Sequence, residues 1–141
     1  MILLDTNVMS EVMRPAPSGL VLSWLNDTPT ADLFICSISM AELCYGIRAL
    51  PDGQRRETLA SHLEQFIAQG FSQRTLDFDT RAAVAYGELM ANRRHRGKPM
   101  SILDGQIAAI AKVHYAALAT RNVRDFEDCG IEVIDPWAYS R

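Results

Sequence analysis

The sequence predicts an α/β fold in which a parallel sheet is covered by helices on both faces. Short apolar runs such as Ile2–Leu4 and Leu33–Cys36 have the length and composition of buried parallel strands. Stretches with helical spacing of apolar residues separate these runs, and Pro and Gly residues mark the boundaries. Because short buried strands alternate with helices along the chain, a parallel sheet is the expected architecture.

The elements of the first half are ended by residues that break regular structure. Pro15 and Pro17 end a short first helix, Pro51 ends the third helix, and Gly70 ends the fourth. Ser18 is expected to cap the second helix. The predicted strands are residues 2–4 and 33–36, and the predicted helices are residues 7–13, 18–26, 39–50 and 52–69.

The second half repeats the alternation of strands and helices. Asp79 is a candidate N-cap for a helix that ends near Arg96, before Gly97 and Pro99. With 141 residues and no internal repeat or linker, we expect one domain, residues 1–141. The remaining predicted elements are strands at 74–78, 116–120 and 131–134 and a helix at 101–115.

Composition narrows the class of protein. The chain is 48% hydrophobic and 22% charged, as in ordinary globular proteins, and it lacks the run of about 18 apolar residues that a membrane span needs. Cys36, Cys44 and Cys129 form no CxxC pair, which favours a reducing, cytoplasmic location. The net charge of −3 argues against a passive nucleic-acid coat, but it is compatible with an enzyme that meets phosphate through metal ions.

Four acidic residues stand where a strand ends or a helix begins: Asp5, Glu42, Asp104 and Asp125. The last three each follow a small polar residue by three positions, so helix capping alone explains their placement equally well. A second interpretation rests on geometry, because the carboxyl ends of parallel strands share one edge of the sheet, where such folds bind ligands. Acids gathered there would repel one another unless a cation such as Mg²⁺ or Mn²⁺ lay between them. Local pattern leaves Asp104 as a helix-start acid, since its helix follows another helix.

The segments that carry these acids, taken in order, resemble the PIN-domain ribonucleases. They are Ile2–Asn7 (ILLDTN), Ser39–Leu43 (SMAEL), Asp104–Ala109 (DGQIAA) and Thr120–Phe126 (TRNVRDF). Their order and spacing are most similar to the VapC toxins of type II toxin–antitoxin pairs. The Asp135–Trp137 segment is similar to the FitB branch of that group.

The resemblance implies a three-layer α/β/α sandwich with an acidic pocket for Mg²⁺ or Mn²⁺. Asp5, Glu42 and Asp104 match the three acids most regularly present in the family, and Asp125 matches a more variable fourth. Polar groups that support the pocket are expected at Thr6, Asn7, Thr120 and Asn122. The implied activity is metal-dependent hydrolysis of RNA, in a homodimer inhibited by an antitoxin that has its own DNA-binding domain.

Two other functions fit parts of the pattern. A HAD-type phosphatase also begins with a strand that ends in Asp, but its usual second Asp two residues later is replaced here by Asn7. A PIN-like module that binds RNA or protein without cutting would keep the fold and show no divalent-dependent cleavage. Four intact acids argue against that alternative.

Two surfaces have a structural and a functional interpretation. The basic cluster Arg93, Arg94, Arg96 and Lys98 is either a solvated helix end or a contact for the RNA backbone. The early apolar helix around Trp24 either packs in the core or offers a dimer or antitoxin surface.

Overall fold

The computed structural model describes residues 1–141 and contains one five-stranded, fully parallel sheet. The strand order is β3-β2-β1-β4-β5, so the first strand lies in the centre. In register, Leu3 of β1 pairs with Phe34 on one side and Leu118 on the other. The strands are β1 Ile2–Leu4, β2 Leu33–Cys36, β3 Thr75–Leu76, β4 Ala117–Ala119 and β5 Val133–Ile134.

Six α-helices connect and cover the strands, which confirms the predicted fold class. Most boundaries differ from the prediction by only a few residues, but α3 begins at Ser37, two residues before the predicted start. Short 3₁₀ turns at Thr30–Asp32, Val123–Phe126 and Pro136–Ala138 complete the chain. The helices are α1 Thr6–Val12, α2 Gly19–Asp27, α3 Ser37–Arg48, α4 Gln54–Gly70, α5 Thr80–His95 and α6 Ile102–Val113.

Side-chain alternation along the strands creates two hydrophobic cores, one on each face of the sheet. Leu3 and Leu118 point into a core built with α5 and α6, whereas Leu4 and Ala119 point into a core built with α1 to α4. All four side chains are almost completely buried. The fold is therefore a three-layer α/β/α sandwich.

Helices α5 and α6 form a closely packed hairpin against the first core. Gly105 permits this approach, because a Cβ at that position would overlap the side chain of Met90 and press on the ring of Tyr86. At the other end of the hairpin the Arg81 guanidinium donates a hydrogen bond to the Val113 carbonyl. The hairpin fixes the position of the start of α6, where Asp104 lies.

The apolar helix α2 divides its side chains between interior and surface. Val21 and Trp24 are buried in the second core, while Leu20 and Leu22 are exposed. Core packing thus accounts for Trp24. None of the helices is both long enough and apolar enough to cross a lipid bilayer.

Candidate active site

A cavity of about 400 Å³ opens at the carboxyl edge of the sheet, beside β1 and β4. The chain adds β2 and β3 on one side of β1 and then β4 and β5 on the other, and such reversals of strand order are where open α/β sheets bind ligands. Only one of its lining residues is hydrophobic. The lining residues are Asp5, Thr6, Asn7, Ser10, Glu11, Arg14, Glu42, Asp104, Arg121, Asn122 and Trp137.

Asp5 is the most buried acid of the cavity, and both of its carboxylate oxygens accept hydrogen bonds. It follows β1 directly and caps α1, with Oδ1 accepting from the Thr6 backbone N–H at 2.8 Å. Its Oδ2 accepts from the Thr120 hydroxyl at 2.8 Å and from the Asn7 amide at 3.3 Å. Thr120 follows β4, so neighbouring strand ends supply both the carboxylate and its donor.

Burial raises the pKa of Asp5 from its usual value of 3.8 to about 6. The hydrogen bonds from Thr120 and Thr6 oppose this rise, whereas the negative charges of Asp104 and Glu42 add to it. The carboxylates are thus near enough to destabilise each other's charged forms. Such an electrostatic environment favours a bound cation.

Glu42 reaches the cavity from the second turn of α3, half-buried, and its Oε1 accepts from the Thr6 hydroxyl at 2.9 Å. The capping interpretation of Ser39–Glu42 is wrong, because α3 begins two residues earlier than predicted. Ser39 is fully buried inside the helix and its hydroxyl contacts the Cys36 thiol instead of a backbone N–H. Helix capping therefore does not explain Glu42.

Asp104 lines the cavity from the start of α6, where the Ser101 hydroxyl accepts from its backbone N–H at 3.2 Å. The predicted cap is thus present, and the carboxylate also faces the site. Burial raises the pKa of Asp104, and the negative charge of Asp125 adds to the rise. A helix that leads directly into a parallel strand runs back along the sheet, so α6 begins at the edge where β4 ends. Sequence reasoning did not use that signal.

Asp125 does not line the cavity, contrary to the expectation that it completes the pocket. It is exposed on the 3₁₀ turn Val123–Phe126, near enough for its charge to act on Asp104. The predicted side-chain cap by Asn122 is also absent. Asn122 instead lines the cavity, and its backbone N–H donates to the Thr120 hydroxyl at 3.1 Å.

The donor set of the cavity suits a hard divalent cation, since four carboxylates and several neutral oxygens line it and only Glu11 among the four is paired with an arginine. No three acidic, histidine or cysteine side chains converge tightly enough to form a ready metal-ligand cluster. Mg²⁺ commonly keeps several waters and uses only one or two protein carboxylates, so this spacing is compatible with it. Asp5, Glu42 and Asp104 are the residues that could hold such an ion.

The basic cluster lies outside the cavity, and neither predicted role, a solvated helix end or an RNA contact, is correct for Arg93. Its side chain is buried, because Nε donates to the Lys98 carbonyl at 2.7 Å and Nη1 donates to the Asp125 and Glu127 carbonyls. Arg93 therefore holds a loop and cannot reach RNA. Arg94, Arg96 and Lys98 are exposed, and the last two lie within 4 Å of an Asp128 carboxylate oxygen.

Four cavity residues were missed by sequence reasoning: Ser10, Glu11, Arg14 and Trp137. Glu11 is buried and accepts from the Arg14 guanidinium at 3.2 and 3.3 Å. A signal existed for Ser10, because it lies four residues after Thr6 on the same side of the helix that follows Asp5. Arg14 lies beyond the end of that helix at Val12 and had no such signal. Trp137 lies far along the chain and had no local signal for the site.

Comparison with known proteins agrees with this architecture. Residues 2–131 match the PIN domain family. VapC ribonuclease Y4jK of Sinorhizobium fredii is 39% identical over 137 residues, with 97% of this chain and 98% of the relative aligned. Toxin FitB of Neisseria gonorrhoeae is also 39% identical over 137 residues, with 97% of this chain and 99% of that protein aligned.

Solved structures give the same result. A chain of FitAcB from Neisseria gonorrhoeae superposes with a TM-score of 0.92 and 38% identity, covering 99% of this chain and 100% of that one. A chain of DNA-bound VapBC from Salmonella typhimurium gives a TM-score of 0.82 at 29% identity, covering 96% of this chain and 97% of that one. The chain therefore belongs to the PIN-domain family, in the branch that contains the VapC and FitB proteins.

Proposed function

We propose that this protein is the toxin of a type II toxin–antitoxin pair and a divalent-metal-dependent endoribonuclease. The observation that carries the proposal is the cavity at the switch point of the sheet, which gathers Asp5, Glu42 and Asp104 from three distant segments. Relatives that carry the names ribonuclease and toxin align with nearly the whole chain, which supports the same activity. The domain is proposed to comprise residues 1–141.

The chain's own residues would hold and orient the carboxylates. Thr120, Asn7 and the Thr6 backbone fix Asp5, while the Thr6 hydroxyl fixes Glu42. Asp5 and Asp104 would be the main ligands of the ion, directly or through water, and Glu42 would complete the set. Asp125 would contribute negative charge from outside the cavity. When bound, Mg²⁺ or Mn²⁺ lowers the pKa of an attacking water and offsets the charge that develops on the phosphate.

RNA cleavage by the purified chain tests this proposal. Total cellular RNA is incubated with wild type in EDTA, Mg²⁺ or Mn²⁺, and the new RNA ends are sequenced. We expect cleavage only with a divalent ion, and a loss of about 10²-fold or more in Asp104→Asn and Glu42→Gln. Asp32→Asn, an exposed acid far from the cavity lining, is the matched control. Full activity in EDTA or in both cavity variants would contradict the proposal.

A larger groove next to the acidic cavity suits an antitoxin segment. It measures about 1120 Å³, lies among α1, α3 and α4, and shares Thr6, Ser10, Arg14 and Glu42 with the acidic cavity. Apolar side chains such as Leu43, Ile47 and Phe66 line it beside polar ones, as an amphipathic partner helix requires. We propose that a cognate antitoxin with a DNA-binding domain occupies this groove and inhibits by reaching the carboxylates.

A homodimer is proposed as the assembly of the toxin itself. Exposed apolar side chains on α5 and α6, among them Val84, Ile102 and Leu103, are available for a second copy. Sedimentation equilibrium of wild type and Ile102→Asp distinguishes the outcomes. A wild-type dimer that the variant weakens supports this surface, and a monomeric wild type contradicts the dimer.

The alternative function is a PIN-like module that binds RNA or protein without cutting it. One observation favours it, namely that the carboxylates do not converge into a ready ligand cluster. The same cleavage assay separates the two functions, because a pure binder would retain RNA and leave it intact with every divalent ion tested.

A further inference from the structure

Arg121 and Trp137 form a cationic and aromatic wall of the acidic cavity that the catalytic description does not use. The Arg121 guanidinium carbon lies 5.2 Å from the centre of the Trp137 ring, which is a cation–π contact. Both residues line the same cavity as Asp5 and Asp104. Trp137 lies beyond residues 2–131, which are the ones that match the family.

Both ends of Arg121 are held in place. Its backbone N–H donates to the Asn7 side-chain oxygen at 3.3 Å, immediately after the buried Thr120. Trp137 is in turn anchored, because its backbone N–H donates to Asp135 at 2.9 Å and its ring packs against the second core. The guanidinium therefore rests on a fixed surface with its N–H donors available.

The two arginines of the cavity differ in their partners. Arg14 is paired with the buried carboxylate of Glu11 at 3.2 Å. Arg121 has no carboxylate within 4 Å and its guanidinium makes no hydrogen bond within the chain. The groups that lower the pKa of Asp5 are Thr120 and Thr6, and Arg121 is not one of them. Arg121 is thus not a partner of Asp5 in the free protein.

We propose that Arg121, held by Trp137, binds a backbone phosphate of single-stranded RNA next to the bond that is cut. An unpaired guanidinium presents a planar fork of donors that matches a phosphate and binds it in bidentate fashion. Trp137 is a positioning residue that acts through Arg121. The inference rests on the proposed ribonuclease function and specifies where the substrate backbone lies relative to the carboxylates.

Binding of a fluorescent, mixed-sequence single-stranded RNA 20-mer tests the inference, with Asp104→Asn as the parent so that no RNA is cut. Fluorescence anisotropy in Mg²⁺ is measured over a range of salt concentrations. We expect Arg121→Ala to weaken binding about tenfold and to reduce the slope of log affinity against log salt by about 0.7, the value for one contact to single-stranded phosphate. Arg121→Lys should keep the slope and recover part of the affinity, because the charge remains and the fork is lost.

Three further variants separate positioning from net charge and from folding. Arg124→Ala removes the same charge from an exposed residue outside the cavity and should change affinity less than about twofold. Trp137→Ala should weaken binding, and Trp137→Phe should rescue it, since an aromatic face is retained. Thermal unfolding of each variant identifies a folding defect.

The outcomes distinguish this inference from the proposed function. If wild type cuts RNA and Arg121→Ala binds with unchanged affinity and salt slope, the phosphate site is wrong while the nuclease proposal stands. Equal losses in Arg121→Ala and Arg124→Ala would also overturn it, because net charge would then explain both. If wild type cuts no RNA and neither wild type nor the parent binds it, the inference and the proposed function both fail.

Discussion

Asp5 combines two properties that oppose each other at the scale of a single residue. Its hydrogen bonds with Thr6, Asn7 and Thr120 fix its orientation, but its burial makes the charged form costly. A side chain selected only for stability would avoid that cost. The conflict is typical of functional sites, where binding a ligand requires an otherwise unfavourable arrangement.

Asp5→Asn should reveal this cost as a pH-dependent gain in stability. The folded-state pKa of about 6 exceeds the usual 3.8, so the folded protein binds a proton more tightly than the unfolded chain does. Wild type therefore loses this contribution to stability as pH rises from about 4 to above 6, and Asp5→Asn does not. The free energy of unfolding is measured in urea with EDTA present. As pH rises from 4 to 7.5, that of the variant should increase relative to that of wild type by on the order of 1–3 kcal/mol. Parallel stability curves for the two proteins would contradict this account.

Thr120→Val should shift the pH dependence of cleavage. Removing the hydroxyl takes away the strongest hydrogen bond that lowers the pKa of Asp5, so the carboxylate should protonate at higher pH. The acidic midpoint of metal-dependent cleavage is expected to rise by about 0.5–1 pH unit. Thr28→Val is the control, because its hydroxyl bonds only the Trp24 carbonyl on α2. An unchanged midpoint in Thr120→Val would separate Asp5 from the titration.

At the scale of secondary-structure elements, the helix starts decide which acids reach the site. Sequence pattern predicted every strand and the approximate extent of each helix, because apolar periodicity and Pro or Gly breakers are local signals. Sequence pattern placed the start of α3 two residues too late. The N-cap residue is Cys36, which makes no side-chain capping hydrogen bond, so no local signal marks the start of the helix at Ser37. Sequence pattern did not place Asp104, because the direct succession of α6 and β4, which puts the start of α6 at the carboxyl edge of the sheet, was not used.

Arg93 shows why the basic cluster was misinterpreted. The density of positive charge in this cluster suggested a solvent-exposed surface. Arg93, however, is the hydrogen-bond donor that holds the loop after the 3₁₀ turn Val123–Phe126 against α5. A local charge run contains no information about which carbonyls lie opposite in the fold. The interior position of Arg93 therefore emerges only from tertiary structure.

Replacing Arg93 should destabilise the protein far more than replacing its exposed neighbour. Arg93→Ala leaves the carbonyls of Lys98, Asp125 and Glu127 without this donor, and we expect a loss of about 2–4 kcal/mol in the free energy of unfolding. Arg94→Ala should change it by less than about 0.5 kcal/mol. Hydrogen exchange should increase in residues 123–129 of Arg93→Ala. Equal stabilities of the two variants would contradict the assigned role.

At the scale of the whole molecule, topology assembles the site. The strand order reverses at β1, and this brings Asp5 and Thr120 together although 115 positions separate them. No local motif encodes the order of the strands in the sheet. The resemblance to a family therefore predicted the assembly of the site, which the sequence pattern alone could not. Membership of the PIN family also removes the HAD-type phosphatase alternative. Trp137 and Arg14 became visible as cavity residues only in three dimensions.

Production of the chain in a bacterial host should arrest growth if the proposed toxin activity is correct. Glu42→Gln, produced to the same level, should permit growth, because it removes a cavity carboxylate that the fold does not need as a helix cap. His62→Asp and Gln65→Asp, at exposed residues that line the groove, should retain toxicity but lose rescue by the co-produced antitoxin. Growth arrest by Glu42→Gln equal to that of wild type would separate toxicity from the acidic cavity.

The central claim is that Asp5, Glu42 and Asp104 hold one divalent cation. The most direct test is to titrate the purified protein with Mn²⁺ and to follow binding by electron paramagnetic resonance. We predict saturable binding that weakens about tenfold or more, or about 1.4 kcal/mol, in each of Asp5→Asn, Glu42→Gln and Asp104→Asn, and that stays at the wild-type level in Asp32→Asn. Mn²⁺ affinity that is the same in wild type and in all three cavity variants would contradict the claim.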